Sequence, residues 1–161
     1  MSLASQLTEP DRLAESGDIA NRLFFKLYQA SNLMHKEGTS AVSSFGSTTQ
    51  QWAVLGALSR TQVAKHGLSV KELMEYLMVS RQSLTAILDR LEAAGLIERV
   101  RTEGDGRLRH VCLTDKGRKT WVDMRPSIRF FYEAALADFS IEESYLLMRL
   151  LDRLSAGLAK L

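Results

Sequence analysis

The stretch from Ser69 to Thr114, SVKELMEYLMVSRQSLTAILDRLEAAGLIERVRTEGDGRLRHVCLT, constrains this chain more than any other. Its second apolar stripe is the clearest signal. Leu84, Ile87, Leu88 and Leu91 recur at i, i+3, i+4 and i+7, the spacing of one helix face. Ser80 precedes them as an N-cap, since its hydroxyl can accept an orphan N–H of the first turn. Gly95 follows them as the C′ residue, with Leu96 placed to pack back on the last turn. An earlier helix opens on Ser69 with Glu72 three residues on, a capping box, and buries Val70, Leu73, Met74 and Leu77. The connection Met78-Val79-Ser80 is short and lacks the glycine often found at such corners.

After Gly95 the period changes. Leu96–Arg101 and Leu108–Leu113 are short runs rich in β-branched and apolar residues, with Gly104-Asp105-Gly106 between them. Asp-Gly supplies positive-φ residues at little cost, so the pattern predicts a β-hairpin turning there. The hairpin carries Arg99 and Arg101 on one strand and Arg107 and Arg109 on the other. Helix, tight turn, helix and basic hairpin together predict a winged helix-turn-helix. In that arrangement the first residues of the second helix meet base edges. Arg forks onto guanine, Gln onto adenine, and Ser or Thr onto several groups. Arg81, Gln82, Ser83 and Thr85 therefore stand where readers of DNA belong, and a basic ribbon beside them suits phosphates or a minor groove. An isolated polar helix face would more often be merely solvated; the flanking elements shift the balance toward DNA.

These residues resemble the MarR (multiple antibiotic resistance regulator) family of bacterial transcription factors. The matching runs are VSRQSLTAILDRLEAAGLIER and DGRLRHVCLTDKG. The family's Asp-Arg-Leu-Glu, two variable residues, Gly-Leu is met by Asp89, Arg90, Leu91, Glu92, Gly95 and Leu96. Its wing reads Asp-Arg-Arg and later Leu-Thr and Gly; here Asp105, Arg107, Leu113, Thr114 and Gly117 match, while Gly106 replaces the middle Arg and Arg109 is placed to substitute for it. The resemblance implies a mainly α fold with a small β-hairpin wing. The DNA-contacting set it implies is Ser80, Arg81, Gln82, Ser83, Thr85 and Arg90 on the helix side, with Asp105, Arg107 and Arg109 on the wing.

The whole chain, 1–161, is expected to form one such domain. Residues from about 48 to 114 form the winged helix-turn-helix, and about 18–47 and 115–161 supply dimerisation helices. Asp18 is read as the cap of a helix to about His35, with Ile19, Leu23, Leu27 and Met34 on one face and Phe24, Phe25 and Tyr28 widening it. Lys36–Phe45 is small, polar and glycine-containing, and reads as a loop. Thr48 or Thr49 opens the next helix through Trp52, Leu55 and Leu58. Thr114 caps a long helix in which Pro126 predicts a kink or a break. Ser140 and Glu143 form a capping box for a final helix, whose Leu147, Leu151, Leu154, Leu158 and Leu161 repeat at four and three, the seam of a helix–helix interface. The expected partners are a second copy of the chain and a pseudo-palindromic operator read at two points about 34–36 Å apart.

The resemblance further implies repression relieved by a small effector, an aromatic acid or its CoA thioester, at the junction of dimer helices and reader. Phe24, Tyr28, His35, Trp52, Phe130 and Phe131 are the candidate lining, although aromatics at helical spacing more often form core. Two other readings compete: a thiol redox sensor of the same fold, and a winged-helix protein–protein module. The single cysteine, Cys112, lies in a wing strand where it serves as a small apolar residue, while redox relatives carry theirs in the first helix. It also rules out a disulfide framework or a multi-cysteine metal site within the chain, and no cofactor is expected. His35, His66 and His110 lie in unrelated elements with no nucleophile or metal spacing, which speaks against an enzyme. The net charge of +2 gives no bulk argument for nucleic acid, so any DNA-binding charge has to be local. Without a signal peptide or a membrane-length apolar run, the expected location is the cytoplasm.

Overall fold

The computed structural model of the chain describes the backbone of residues 9–102 and 105–161 and the side chains of residues 17–101 and 110–161. The element order is α1 (Glu9–Ala41), a 3₁₀ turn (Ser43–Phe45), α2 (Thr49–Leu58), β1 (Leu68–Ser69), α3 (Val70–Leu77), α4 (Arg81–Ala93), β2 (Ile97–Thr102), β3 (Asp105–Leu113), α5 (Asp115–Ala135) and α6 (Ile141–Leu158). The sheet is antiparallel in the order β1-β3-β2, with Leu68 opposite Val111 and Ile97 opposite Leu113. The fold is thus mainly helical with a small wing, as expected.

The caps read from the sequence form. Thr48 and Gln51 make a reciprocal capping box at α2, as do Ser69 and Glu72 at α3 and Ser140 and Glu143 at α6. Ser80 and Thr114 accept the Ser83 and Gly117 amides at the starts of α4 and α5. Each satisfies donors that the helix itself leaves unpaired. The Ser69 hydrogen bonds hold the Glu72 carboxyl below its usual pKa. The Thr114–Gly117 pair does more than cap. Thr114 Oγ1 donates to Gly95 O at 2.7 Å, and a Cβ at position 117 would fall on the Leu96 carbonyl. Only glycine lets α5 start this close to the end of α4.

One core holds the reader together. Val54, Leu55 and Leu58 of α2, Leu73 of α3, and Leu84, Leu88 and Leu91 of α4 are buried with Ile97, Val111 and Leu113 of the sheet. Met124 and Ile128 of α5 close the same cluster. The two chain ends differ sharply. No residue of α6 is buried, and Ile19, Leu23, Phe24 and Phe25 of α1 are exposed.

The structure corrects or completes four expectations. First, the helix expected to run from a cap at Asp18 to about His35 spans Glu9–Ala41, so Asp18 lies within it and Lys36–Ala41 is not a loop. The small residues there serve packing. Gly38 is buried and leaves no room for a Cβ, which would meet Trp52 Cη2 at 2.9 Å. Thr49 Oγ1 donates to His35 O at 2.9 Å and bonds Thr39 Oγ1 at the same distance, locking α1 to α2. Second, of the two outcomes expected at Pro126 the break and restart does not occur, since α5 runs uninterrupted through it. A proline costs one backbone hydrogen bond, and Met124 and Ile128 on either side anchor the helix in the core. Third, Asp105 pairs with Thr102 at the start of β3, so Asp105-Gly106 belongs to the strand; residues 103–104 lie outside the described residues. Fourth, the short corner without glycine forms as expected, and Met78 itself makes it, in the left-handed region at φ 53°.

Candidate nucleic-acid interface

Leu84, Ile87, Leu88 and Leu91 fix one side of α4 in the core. The remaining side is therefore forced outward. Arg81, Gln82, Ser83, Thr85 and Arg90 are all exposed. Their polar groups are not equally available. Ser80 Oγ accepts the Ser83 amide at 3.2 Å and donates to Ser83 Oγ at 2.9 Å, so the two serines hold each other and the helix start. Thr85 Oγ1 donates to Arg81 O at 2.8 Å. Among the described residues, Arg81, Gln82 and Arg90 have no side-chain hydrogen bond or ion pair. Arg81 and Gln82, at the first two positions of the helix, are therefore the free forks. Asp105, Arg107 and Arg109 lie in β3, but their side chains fall outside the described residues. Arg101 of β2 is exposed.

Arg99 departs from the basic-ribbon reading. It is mostly covered, with Nη1 2.6 Å from Glu92 Oε2 and Nη2 2.7 Å from Asp89 Oδ1. A guanidinium fork matched to two carboxylates is a directional link. It joins β2 to the outer side of α4, fixing the angle between wing and recognition helix. The acids of Asp-Arg-Leu-Glu are thereby accounted for, Leu91 being core and Arg90 an exposed cation without an ion pair among the described residues. The signal that could have exposed this was the pair of acids on α4 facing the arginine-rich strand that follows within one short turn.

The candidate effector residues separate into three places. Trp52 is core, with Phe131 at 5.9 Å and Tyr132 at 6.1 Å between ring centroids, and burial raises the Tyr132 phenol. Phe130 and Phe131 line a hollow of about 540 Å³ between the end of α1 and α5, together with Glu37, Ala41 and Pro126. Phe24, Tyr28 and His35 are exposed on α1 and do not line that hollow. Tyr132 was not among the sequence candidates, because its contact with Trp52 joins two helices far apart in the chain.

Cys112 is partly buried, and burial followed by the nearby Glu98 carboxylate pushes its thiol pKa up, against a smaller opposing pull from Arg118. His110 Nδ1 lies 2.9 Å from His66 O, a structural tie between β3 and the preceding loop. Among the described residues no group of three histidine, cysteine or acidic side chains is placed to hold a metal ion. No helix among them is long and apolar enough to cross a membrane.

A family model described as the MarR family matches residues 45–108, the span from the 3₁₀ turn into β3. The transcriptional activatory protein BadR of Rhodopseudomonas palustris is 47% identical over 158 residues, covering 94% of this chain and 90% of its own. Among solved structures, the reduced, DNA-bound form of AbfR, a protein of Staphylococcus epidermidis, superimposes with a TM-score of 0.72 at 25% identity, covering 91% of this chain and 98% of its own. NadR in complex with 4-hydroxyphenylacetate gives a TM-score of 0.65 at 28% identity, covering 81% and 89%. Core, caps, wing and relatives agree, and this chain belongs to the MarR family of DNA-binding transcriptional regulators.

Proposed function

We propose that the protein acts as a homodimer that reads a pseudo-palindromic operator through two copies of α4 and releases or rearranges it when a small aromatic acid, or its CoA thioester, binds. The observation that carries the reading is the start of α4: Arg81 and Gln82 are exposed and unengaged among the described residues, on a helix whose other side is wholly core. Residues 48–114 are the reading part, with Ser80 and Ser83 setting the helix start, Arg81, Gln82 and Thr85 at the bases, and Arg90 with Asp105, Arg107 and Arg109 toward the backbone. Residues 18–47 and 115–161 are the dimerising part. The division is one of role, since α5 shares the reader's core through Met124 and Ile128.

Support for the dimer comes from the apolar surface left by one chain. Leu23 and Leu27 of α1 face Leu147, Leu150, Leu151 and Leu154 of α6 across an open hollow of about 610 Å³. Contiguous apolar surface of this kind marks an association site. The effector reading rests on the hollow at Phe130 and Phe131, adjoining the aromatic group that touches the core. The aromatic carboxylate bound to NadR favours that ligand class. An effector there shifts operator affinity only by binding two dimer geometries unequally. Repression is the proposed sign, and the activatory name of the Rhodopseudomonas relative supplies the competing outcome. A thiol switch finds less support: reactivity belongs to the thiolate, and burial disfavours that form of Cys112.

Selection of bound duplexes from a random pool tests the reading. Enrichment of a pseudo-palindrome with half-sites about one turn apart is expected; a folded dimer that enriches nothing would overturn it in favour of a protein-interaction module. On the selected duplex, Arg81→Ala is expected to weaken binding by about 1–3 kcal/mol and relax one position of the site. Unchanged preference would remove Arg81 as a base reader. A reporter fused to the selected promoter then gives the sign, rising on deletion of the regulator for repression and falling for activation.

A further inference from the structure

The exposed side of α4 offers DNA less hydrogen-bonding capacity than its sequence promises. Thr85 is exposed, yet its hydroxyl donates to the Arg81 carbonyl at 2.8 Å. That bond turns the polar end back onto the helix's own backbone, a common resting place for a helical threonine. The γ-methyl is then the group left free to face outward. The next residue, Ala86, is also exposed and has only a methyl to offer. Ser83 Oγ accepts from Ser80 Oγ, which ties the oxygen to the helix start and leaves its O–H as a single donor. Gln82 lies three and four residues before Thr85 and Ala86, one helical turn along the same side. The outward strip thus runs from two polar forks, Arg81 and Gln82, to two methyl groups.

In the major groove the apolar feature of a base edge is the C5-methyl of thymine, and alanine and threonine methyls are its recurrent partners. We propose that Thr85 and Ala86 are methyl readers, so that each half-site contains a thymine whose C5-methyl packs against them beside the bases read by Arg81 and Gln82. The inference rests on α4 entering the major groove and goes beyond it by assigning what this turn selects. Donation from the Thr85 hydroxyl to a base would first have to break its bond to the Arg81 carbonyl, which leaves the oxygen only as an acceptor.

The test uses the full chain and the duplex selected from the random pool, with each thymine replaced in turn by deoxyuridine, which removes only the C5-methyl. Fluorescence anisotropy gives the affinities. One position per half-site is expected to show a loss of about fourfold for the wild type, the worth of one buried methyl, and about fifteenfold when both half-sites are altered. Thr85→Val keeps the methyl and lacks the hydroxyl; it should bind within about twofold of wild type and retain the deoxyuridine penalty. Thr85→Ser keeps the hydroxyl and lacks the methyl at both half-sites; it should bind about fifteenfold more weakly and lose most of its distinction between thymine and deoxyuridine at that position, Ala86 alone remaining against it. Thermal melting of both variants checks that the fold is intact. Absence of any sensitive thymine, or a Thr85→Val protein as impaired as Thr85→Ser, would overturn the assignment. Those results leave operator selection intact and so fault only this step, whereas a pool that enriches no sequence overturns the DNA reading and this inference with it.

Discussion

The reader and the terminal helices of this protein solve the problem of apolar surface in opposite ways. From α2 to the start of α5, the side chains that must leave water do so within the chain, and Leu55, Leu73, Leu84, Leu88 and Leu91 are essentially inaccessible. Along α6 none of the leucines is buried, and Leu151, inside the hollow facing α1, remains 42% exposed. The first region has its partners in its own sequence neighbourhood. The second has its partners missing from a single chain. A part that must read DNA needs a rigid, finished surface. In the dimer proposed above, a part that changes the spacing of two readers needs an interface that forms between copies and tolerates rearrangement.

This contrast can be broken from either side. The largest effect is expected from Leu151→Glu. Placing an unpaired carboxylate in an apolar seam costs several kcal/mol, and symmetry applies the cost twice. Light scattering should show a folded monomer with an unchanged reader; a persistent dimer would move the interface away from α6. Next comes Leu91→Ala, which leaves a cavity in the finished core and should cost about 2–5 kcal/mol of stability, seen as a lowered melting temperature. A loss below about 1 kcal/mol would mean that the reader core repacks around the site more freely than a close-packed interior does.

Smaller effects sharpen the picture within the reader. Arg99→Ala should cost roughly 1 kcal/mol in stability, given the partly exposed pairs, and should weaken operator binding by unlocking the wing from α4. Arg99→Lys, which cannot fork, should restore little. Were Arg99 a phosphate anchor, its loss would instead reduce the salt dependence of binding by about one contact. The smallest change is expected for Met78→Gly. A left-handed non-glycine residue costs about 1–2 kcal/mol, and glycine returns much of that through unfolded-state entropy. A net gain under about 1 kcal/mol in urea unfolding is expected; a loss would show that the 77% exposed Met78 side chain is held in place by contacts.

Most of the reader was legible because its signals are local. A cap and its acceptor lie three residues apart, a helix face repeats within four, and Gly95 ends the recognition helix at φ 70°. The same locality explains the misses. The small, polar Lys36–Ala41 looks like a loop until Trp52 packs against Gly38 from another helix. Arg99 looks like a wing cation until Asp89 and Glu92 are brought beside it. Phe130 and Phe131 are neighbours in sequence, yet one is 72% exposed and the other packs on Trp52.

By itself, the sequence determined where the helices from α2 onward begin, which face of each is apolar, and that a helix-turn-helix with a wing must result. Periodicity and capping depend only on residues within a turn or two of each other. Only the tertiary structure decided which polar groups remain free to meet DNA, because an arginine or a threonine hydroxyl is spent or spare according to what the fold sets within about 3 Å of it. It also decided which apolar faces are satisfied at home. The hydrophobic effect removes surface from water without naming the partner, and the partner of α6 does not lie in the core that the rest of the chain builds.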